Sequence, residues 1–273
     1  MKISFGFRFL VLDLKGIKMK YPVHFVGAGP GDPDLITVKG QRLLEEAERV
    51  VYAGSLVPEA LLSSCRPDAD IFNSAPLTLE ETHSLLRAGY EDGKRVVRLH
   101  TGDPSLYGAI HEQMFLLERD GIPYDIVPGV SAVFAAAAEL RQQLTLPEIS
   151  QTLILTRLAG RTPVPEKEQL SSLASHQATL VIYLSAQQIE KVVSELRSSY
   201  PSATPVVVAY RVGWPDQLLL ESTLGDAVDA VKAAGISRQA LIMVGNVFGA
   251  RSQKLFKKSR LYDESFGHGF RQT

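Results

Sequence analysis

Three short segments of the chain combine glycine and proline with small polar residues, and each follows an apolar stretch. They are residues 27–33 (GAGPGDP), 101–108 (TGDPSLYG) and 128–132 (PGVSA). Glycine permits positive φ angles and close approach of the backbone, whereas proline stiffens the chain. A simple turn needs only one or two such residues. We therefore expect the three loops to line one ligand pocket together.

The first loop does not match the known phosphate-binding patterns. A dinucleotide fingerprint that begins at Gly27 requires glycine where Asp32 stands, and an acidic residue where the second strand ends at Tyr52. The chain also lacks the pattern GxxxxGK[ST], and an aspartate carboxylate repels phosphate. The loop is therefore predicted to face a ligand other than phosphate. The alternative is a tight turn in which Asp32 or Asp34 caps the following helix.

Few side chains offer acid, base or metal chemistry. Asp32 is the candidate proton acceptor because its loop should border the ligand, and a helix cap is its alternative role. Arg157 and Arg161 are candidates for binding substrate carboxylates, and solvated surface arginines are the alternative. Cys65 stands alone and the histidines show no metal-ligand spacing, so no bound metal is expected. These histidines are His24, His83, His100, His111, His176 and His268.

The loops must be positioned by alternating strands and helices. Apolar runs predict strands at residues 23–26, 50–52, 95–100 and 126–127, and helical spacing predicts helices at 35–47, 79–90, 110–120 and 130–140. This alternation indicates a mostly parallel sheet, whose ligand sites lie beyond the carboxyl ends of its strands. A second series of strands and helices follows residue 150, with an antiparallel hairpin predicted at residues 206–210 and 218–222.

The patterns together predict an α/β protein of two α/β domains with an active-site cleft between them. The expected limits are 19–146 for the N-terminal domain and 147–249 for the C-terminal domain, with an extension at 1–18 and a polar tail at 250–273. In the extension, Phe5, Phe7 and Phe9 alternate like a strand. Asp13 and Lys15 then interrupt its apolar run and no cleavage pattern follows, which argues against a signal peptide. An upstream start and an extra strand both stay open.

The composition disfavours several classes of partner. The 273 residues carry 29 Lys and Arg against 30 Asp and Glu, and this net charge of −1 gives no general attraction to nucleic acid or to an anionic membrane. The single cysteine excludes an internal disulfide, and no apolar run reaches the length of a membrane span. We therefore expect a cytoplasmic protein with no nucleic-acid or membrane partner.

The loop motifs, in their order along the chain, resemble those of the tetrapyrrole methylase family. The resemblance covers residues 23–247, and its motifs are residues 27–37 (GAGPGDPDLIT), 102–108 (GDPSLYG), 127–132 (VPGVSA) and 240–245 (ALIMVG). Further segments are similar to the branch of the family that methylates carbon 11 of precorrin-4. They are residues 52–57 (YAGSLV), 100–101, 151–157 (QTLILTR), 160–165 (GRTPVP), 210–216 (YRVGWPD) and 259–271. Residues 1–18 depart from the family pattern.

The resemblance implies methyl transfer from S-adenosylmethionine to carbon 11 of precorrin-4 or cobalt-precorrin-4 in cobalamin biosynthesis, by a homodimer. Such a transfer is a direct displacement that needs positioning rather than a protein nucleophile. Alternatives are a tetrapyrrole methyltransferase for another ring position, an RNA ribose methyltransferase and a non-catalytic tetrapyrrole carrier. The net charge disfavours RNA, and intact loops disfavour a carrier. Carried over from the family, the expected donor contacts are Pro30, Thr101, Gly102, Asp103, Leu106, Ser131, Ala132, Leu184, Val212 and Ala240.

Overall fold

The structure is a computed structural model. It describes residues 20–54, 56–160 and 162–254, together with Ser259, Tyr262, Glu264, Phe266, Gly267, Gly269 and Phe270. The extension at residues 1–18, Arg161 and the other tail positions lie outside the described residues. The chain divides into two compact units between Ala132 and Val133. The sequence pattern places the domain limit at 146, which stays a prediction.

The first unit, residues 1–132, contains a parallel sheet with the order β3-β2-β4-β1-β5. This confirms the parallel sheet that the alternating pattern predicts. Its strands are β1 (Val23–Gly27), β2 (Arg49–Tyr52), β3 (Asp70–Asn73), β4 (Val96–His100) and β5 (Tyr124–Val127). Its helices are α1 (Val38–Glu46), α2 (Glu59–Ser63), α3 (Leu79–Glu91) and α4 (His111–Arg119), with a 3-10 helix at Pro33–Leu35.

Apolar residues cover both faces of this sheet. Val26 and Val97 pack on one side with Leu44 of α1 and Leu61 of α2, while Phe25 packs on the other side in the cluster that holds Leu86 of α3 and Leu117 of α4. Strands buried on both faces read as continuous apolar runs, which is why β1 and β4 are readable from the sequence.

Helix α5 (Ala132–Glu139) begins where the first unit ends, and the second unit, residues 133–273, holds a mixed sheet with the order β6-β7-β10-β8-β9. Strands β6 and β7 are parallel, and the antiparallel pairing of β8 with β9 confirms the predicted hairpin. The strands are β6 (Leu153–Arg157), β7 (Thr179–Tyr183), β8 (Pro205–Tyr210), β9 (Leu218–Thr223) and β10 (Ala240–Val244). The helices are α6 (Leu170–Ala174), α7 (Ile189–Leu196) and α8 (Ala227–Ala233), with 3-10 helices at Glu166–Glu168, Ala186–Gln188 and Asn246–Gly249.

Side chains from α6, α7 and α8 bury one face of the second sheet. Leu170, Val192 and Val231 pack there against Val206 and Val208 of β8. Within the described residues, no helix has the length and apolar character needed to cross a membrane. The same residues contain no group of three or more His, Cys, Asp or Glu side chains that could hold a metal ion.

Candidate active site

The first two predicted loops pair through their backbones directly beyond the strands that carry them. Strand β1 lies between β4 and β5, so all three loops leave the same edge of the sheet. The Gly102 N–H donates to the Gly29 carbonyl at 2.8 Å, and the Gly29 N–H donates to the Gly102 carbonyl at 3.3 Å. The structure thus brings the loops together as the sequence predicts.

The glycines of these loops permit a close approach of backbone to backbone. A Cβ on Gly27 would lie 2.6 Å from the Gly102 carbonyl oxygen and from Gly129 Cα, and a Cβ on Gly129 would lie 2.1 Å from the same oxygen. Gly27 and Gly129 are therefore required by the contact between the loops. Gly102 differs from these two glycines. Its φ is +63°, and the atom nearest to a Cβ built on it would be Ser131 Cα, at an unstrained distance of 3.9 Å. Of these three glycines, only Gly102 has a Cβ position that is free of a clash.

Asp103 ties the second loop to the third. One carboxylate oxygen, Oδ1, accepts from the Ser105 N–H at 2.8 Å, and Oδ2 accepts from the Gly129 N–H at 2.9 Å. Both oxygens thus satisfy backbone donors that the turns leave without partners. The carboxylate holds the two loops in register, and its predicted contact with a donor molecule stays a prediction.

The remaining donor candidates of the first unit lie in the same three loops. Pro30, Gly102, Ser131 and Leu106 are buried or half-buried, and Ala132 is the first residue of α5. Asp32 accepts a hydrogen bond from the Asp34 N–H at 2.9 Å and caps the 3-10 helix Pro33–Leu35. In the structure Asp32 therefore has the capping role that the sequence offered as the alternative to a proton acceptor. Its role as a proton acceptor stays a prediction.

The second unit brings its three predicted donor residues to one edge of its sheet. Strand β10 lies between β7 and β8 and is antiparallel to both, so it begins where they end. Ala240 pairs with Tyr210, the last residue of β8, Val212 follows two residues later, and Leu184 directly follows β7. Leu184 is 75% exposed and has a φ of 55°. A leucine in the left-handed region with an exposed side chain is strained, and such residues concentrate at functional sites.

Arg211 and Gln239, which are not among the predicted site residues, hold this edge in place. Both have left-handed φ angles, 44° and 57°. The Arg211 N–H donates to the Gln239 carbonyl at 3.0 Å, and the guanidinium donates to Gln239 Oε1 at 3.0 Å and to Asp216 at 2.8 Å. The guanidinium also lies 4.3 Å from the centre of the Trp214 ring. The motif YRVGWPD supplied the signal, because it combines an arginine with an aromatic and an acidic residue within reach.

Arg157 ends β6 at the same edge, where it pairs with Tyr183. Its guanidinium donates to the carbonyl of Thr162 at 2.9 Å and to that of Pro163 at 2.8 Å. Arg157 therefore braces the segment that follows β6, and its binding of a substrate carboxylate stays a prediction. Arg161, the second carboxylate candidate, lies outside the described residues.

Two basic side chains are buried in β4, next to the second loop. Burial lowers the pKa of Arg98 to about 10, and its hydrogen-bond partners are the neutral groups of Val51, Ser74 and Gln113. Burial, together with the charge of Arg98, lowers the pKa of His100 to about 3. His100 is therefore neutral at pH 7. Arg98 and Gln113 have no distinctive spacing in the sequence and were not predicted as site residues.

Glycine-rich loops follow strands of the first unit, and strained residues follow strands of the second. In α/β proteins this edge of the sheet is where ligands bind, so the chain has the features of a ligand-binding α/β protein. Comparison with known families makes the class specific. The family of Tetrapyrrole (Corrin/Porphyrin) Methylases matches residues 22–228, and the chain belongs to this family.

Several proteins of known name are similar over nearly their whole length. The cobalt-precorrin-4 C(11)-methyltransferase of Methanocaldococcus jannaschii is 50% identical over 252 residues, which are 92% of this chain and 96% of that protein. The precorrin-4 C(11)-methyltransferase of Pseudomonas aeruginosa is 51% identical over 249 residues, which are 91% of this chain and 98% of that protein.

Two solved structures extend the comparison. A cobalt precorrin-4 methyltransferase has a TM-score of 0.81 at 48% identity and covers 83% of this chain and 95% of its own. A uroporphyrin-III C-methyltransferase from Thermus thermophilus, complexed with S-adenosyl homocysteine, has a TM-score of 0.70 at 28% identity and covers 87% of this chain and 96% of its own.

Proposed function

We propose that the protein transfers a methyl group from S-adenosylmethionine to carbon 11 of precorrin-4 or cobalt-precorrin-4, as a step of cobalamin biosynthesis. The observation that carries this proposal is sequence identity to proteins named for this reaction. About half of the aligned residues are identical, over more than 90% of the chain. Because relatives with both substrate names match about equally well, the proposal includes the metal-free and the cobalt-containing substrate.

The described residues fit a donor of this kind. When bound, S-adenosylmethionine supplies an activated methyl group on a positively charged sulfonium. The three loops contain no lysine or arginine, so they do not repel this charge. Gly102 presents backbone without a side chain at the loop edge, and the exposed Leu184 offers an apolar contact.

The chain's own contribution is to orient and enclose the reactants. Backbone groups of the three loops, held by Asp103 and by the contact between Gly27 and Gly129, would fix the donor. Leu184, Val212 and Ala240 would add apolar contacts. Such positioning can contribute on the order of 7–11 kcal/mol to a displacement reaction without a protein nucleophile. Arg157 and Arg161 are the proposed partners of substrate carboxylates, and Asp32 the proposed proton acceptor.

The test is incubation of the protein with methyl-labelled S-adenosylmethionine and either substrate, followed by carbon-13 analysis of the product. We expect one added methyl group at carbon 11. Asp103→Ala should weaken binding of S-adenosylhomocysteine at least about tenfold, or about 1.4 kcal/mol, because the loops lose their link. Asp68→Asn, a change at an exposed aspartate, is the control.

The other outcomes separate the alternatives. Methylation at another carbon would contradict the assignment of the substrate and leave the methyltransferase activity intact. Tight donor binding without methylation of any tetrapyrrole would contradict the proposed reaction and direct the search to RNA. No binding of donor or product would contradict the activity as a whole.

We further propose that the protein acts in the cytoplasm as a homodimer that binds neither nucleic acid nor membranes. The family resemblance supports the dimer, and the net charge of −1 supports the absence of polyanionic partners. Sedimentation of the pure protein should give twice the chain mass of 29.9 kDa, and a monomer would contradict the proposal.

A further inference from the structure

A chain of hydrogen bonds inside the first unit leads from the centre of the sheet to Ala109, the residue that directly follows the second loop. It begins at Arg98 of β4, which is 6% exposed. The Arg98 Nε donates to Gln113 Oε1 of α4 at 2.8 Å, and its Nη1 donates to Ser74 Oγ at 2.8 Å. Gln113 Nε2 in turn donates to the Ala109 carbonyl at 2.8 Å. The buried guanidinium is thus connected to the backbone of the loop through one glutamine.

The segment that receives this bond is strained. Tyr107 and Ala109 have φ angles of 57° and 49°, in the region that residues with a Cβ disfavour. Between them, a Cβ on Gly108 would lie 2.1 Å from the Pro104 carbonyl oxygen, so the loop turns tightly back on itself. A strained segment keeps its conformation only when surrounding contacts enforce it.

The two ends of the loop are held by different side chains. Asp103 holds the beginning through the Ser105 and Gly129 amides. At the far end, Gln113 of α4 donates to the Ala109 carbonyl and is itself 6% exposed. Its bond with Arg98 is buried, and its bond with Ala109 is half-buried. A buried polar side chain such as this one is costly to leave without its partners.

We propose that Gln113 is a positioning residue for the donor-binding loop, and that Arg98 sets the orientation of its amide. A guanidinium only donates hydrogen bonds, so the amide oxygen of Gln113 must face Arg98. The amide nitrogen must then face Ala109, whose carbonyl only accepts. The arrangement fixes which way the glutamine points and holds Ala109 in its left-handed conformation. This inference rests on the proposed function of the loop.

One substitution separates the two bonds of Gln113. In Gln113→Glu, a carboxylate still accepts from Arg98 and supplies the negative charge that this buried guanidinium lacks. This carboxylate has no hydrogen to donate to the Ala109 carbonyl, and its negative charge repels the carbonyl oxygen. We therefore expect an unchanged or higher melting temperature together with a loosened loop. A residue that served stability alone would not show this split.

The experiment measures the Kd of S-adenosylhomocysteine by calorimetry, the melting temperature, and hydrogen exchange of the amides in residues 105–110. Gln113→Glu should raise the Kd at least about tenfold and speed the exchange of these amides. Adding Ala109→Gly should recover part of both effects, because glycine adopts a positive φ without strain. Ala109→Val, at an exposed position, should loosen the loop while Gln113 is intact. Gln143→Glu, the same change at an exposed glutamine, is the control.

The readouts distinguish failure of this inference from failure of the proposed function. The positioning role would be overturned if Gln113→Glu and Ala109→Val left the hydrogen exchange of these amides unchanged. It would also be overturned if adding Ala109→Gly to Gln113→Glu recovered neither the Kd nor the exchange rate. Faster loop exchange in a protein that binds no donor even as wild type would support the positioning role and contradict the proposed function.

Discussion

At the scale of single residues, the most unusual side chain is His100, at the end of β4. It is 3% exposed, stacks on Phe25 with ring centres 5.9 Å apart, and its Nε2 has no hydrogen-bond partner among the described residues. Burial is the main cause that lowers its pKa to about 3, and the nearby charge of Arg98 is the second. In the unfolded chain the pKa returns to about 6.5.

This difference makes stability depend on pH. Between about pH 6.5 and pH 3 the unfolded chain binds a proton that the folded protein does not, so the free energy of unfolding falls as the pH falls through this window. His100 contributes at most about 1.4 kcal/mol per pH unit. We expect His100→Leu to flatten this dependence in urea unfolding between about pH 7 and pH 5.

The control is the same substitution at His176, which is exposed. His176→Leu should leave the pH dependence as in the wild type, because this side chain is exposed and packs into no core. Equal slopes for His100→Leu and wild type would contradict the lowered pKa, because they would mean that His100 takes up its proton over the same pH range in the folded and unfolded chain. The carboxylates with lowered pKa values, among them Asp70 and Asp120, act in the same direction but are present in every variant.

At the scale of elements, the three loops form one unit because their backbones touch. Gly129→Ala would place a Cβ 2.1 Å from the Gly102 carbonyl and 2.8 Å from Gly27 Cα. All of these neighbours are backbone atoms, so no side-chain rotation relieves the clash and the loops must move apart. We expect a loss of about 1–3 kcal/mol of stability and at least about tenfold weaker binding of S-adenosylhomocysteine by calorimetry.

Gly121→Ala is the matched control for this prediction. Gly121 has a φ of 66° and nothing within 4 Å of a Cβ. Alanine there costs about 1 kcal/mol of stability through its backbone conformation alone, and donor binding should stay at the wild-type level. Wild-type affinity in Gly129→Ala would show that the contact between the loops does not shape the donor site.

At the scale of the whole molecule, the match to the family begins at residue 22, directly before β1. We therefore expect a chain that begins at Met19 to keep the melting temperature and donor affinity of the full chain. A chain that begins at Pro22 should melt several degrees lower, since it lacks two contacts of cations with aromatic rings. These are Lys20 with Tyr90 at 5.0 Å and Arg95 with Tyr21 at 4.9 Å. Calorimetric melting of both chains checks this, and a clear loss already at Met19 would contradict it.

The elements whose cause is local can be predicted from the amino-acid sequence alone. The apolar runs of β1 and β4, the hairpin of β8 and β9, and the three loops could be predicted because burial on both faces and turn chemistry leave a pattern in neighbouring residues. Strand β3 was not predicted, because this short edge strand has alternate residues exposed and its pattern resembles a loop. The family motifs added the positions that are expected to contact the donor, which no periodicity provides.

The contacts of these residues depend instead on how the whole unit packs. The sheet order puts β1 between β4 and β5, and this brings Gly27, Gly102 and Gly129 together from distant parts of the chain. For the same reason Asp103 reaches the Gly129 amide, and Gln113 meets Arg98. Such contacts depend on strand order and helix placement, which follow from the burial of all apolar faces at once. A local pattern therefore predicts where a loop lies, but which backbone groups its side chains hold is decided by the packing of the whole unit.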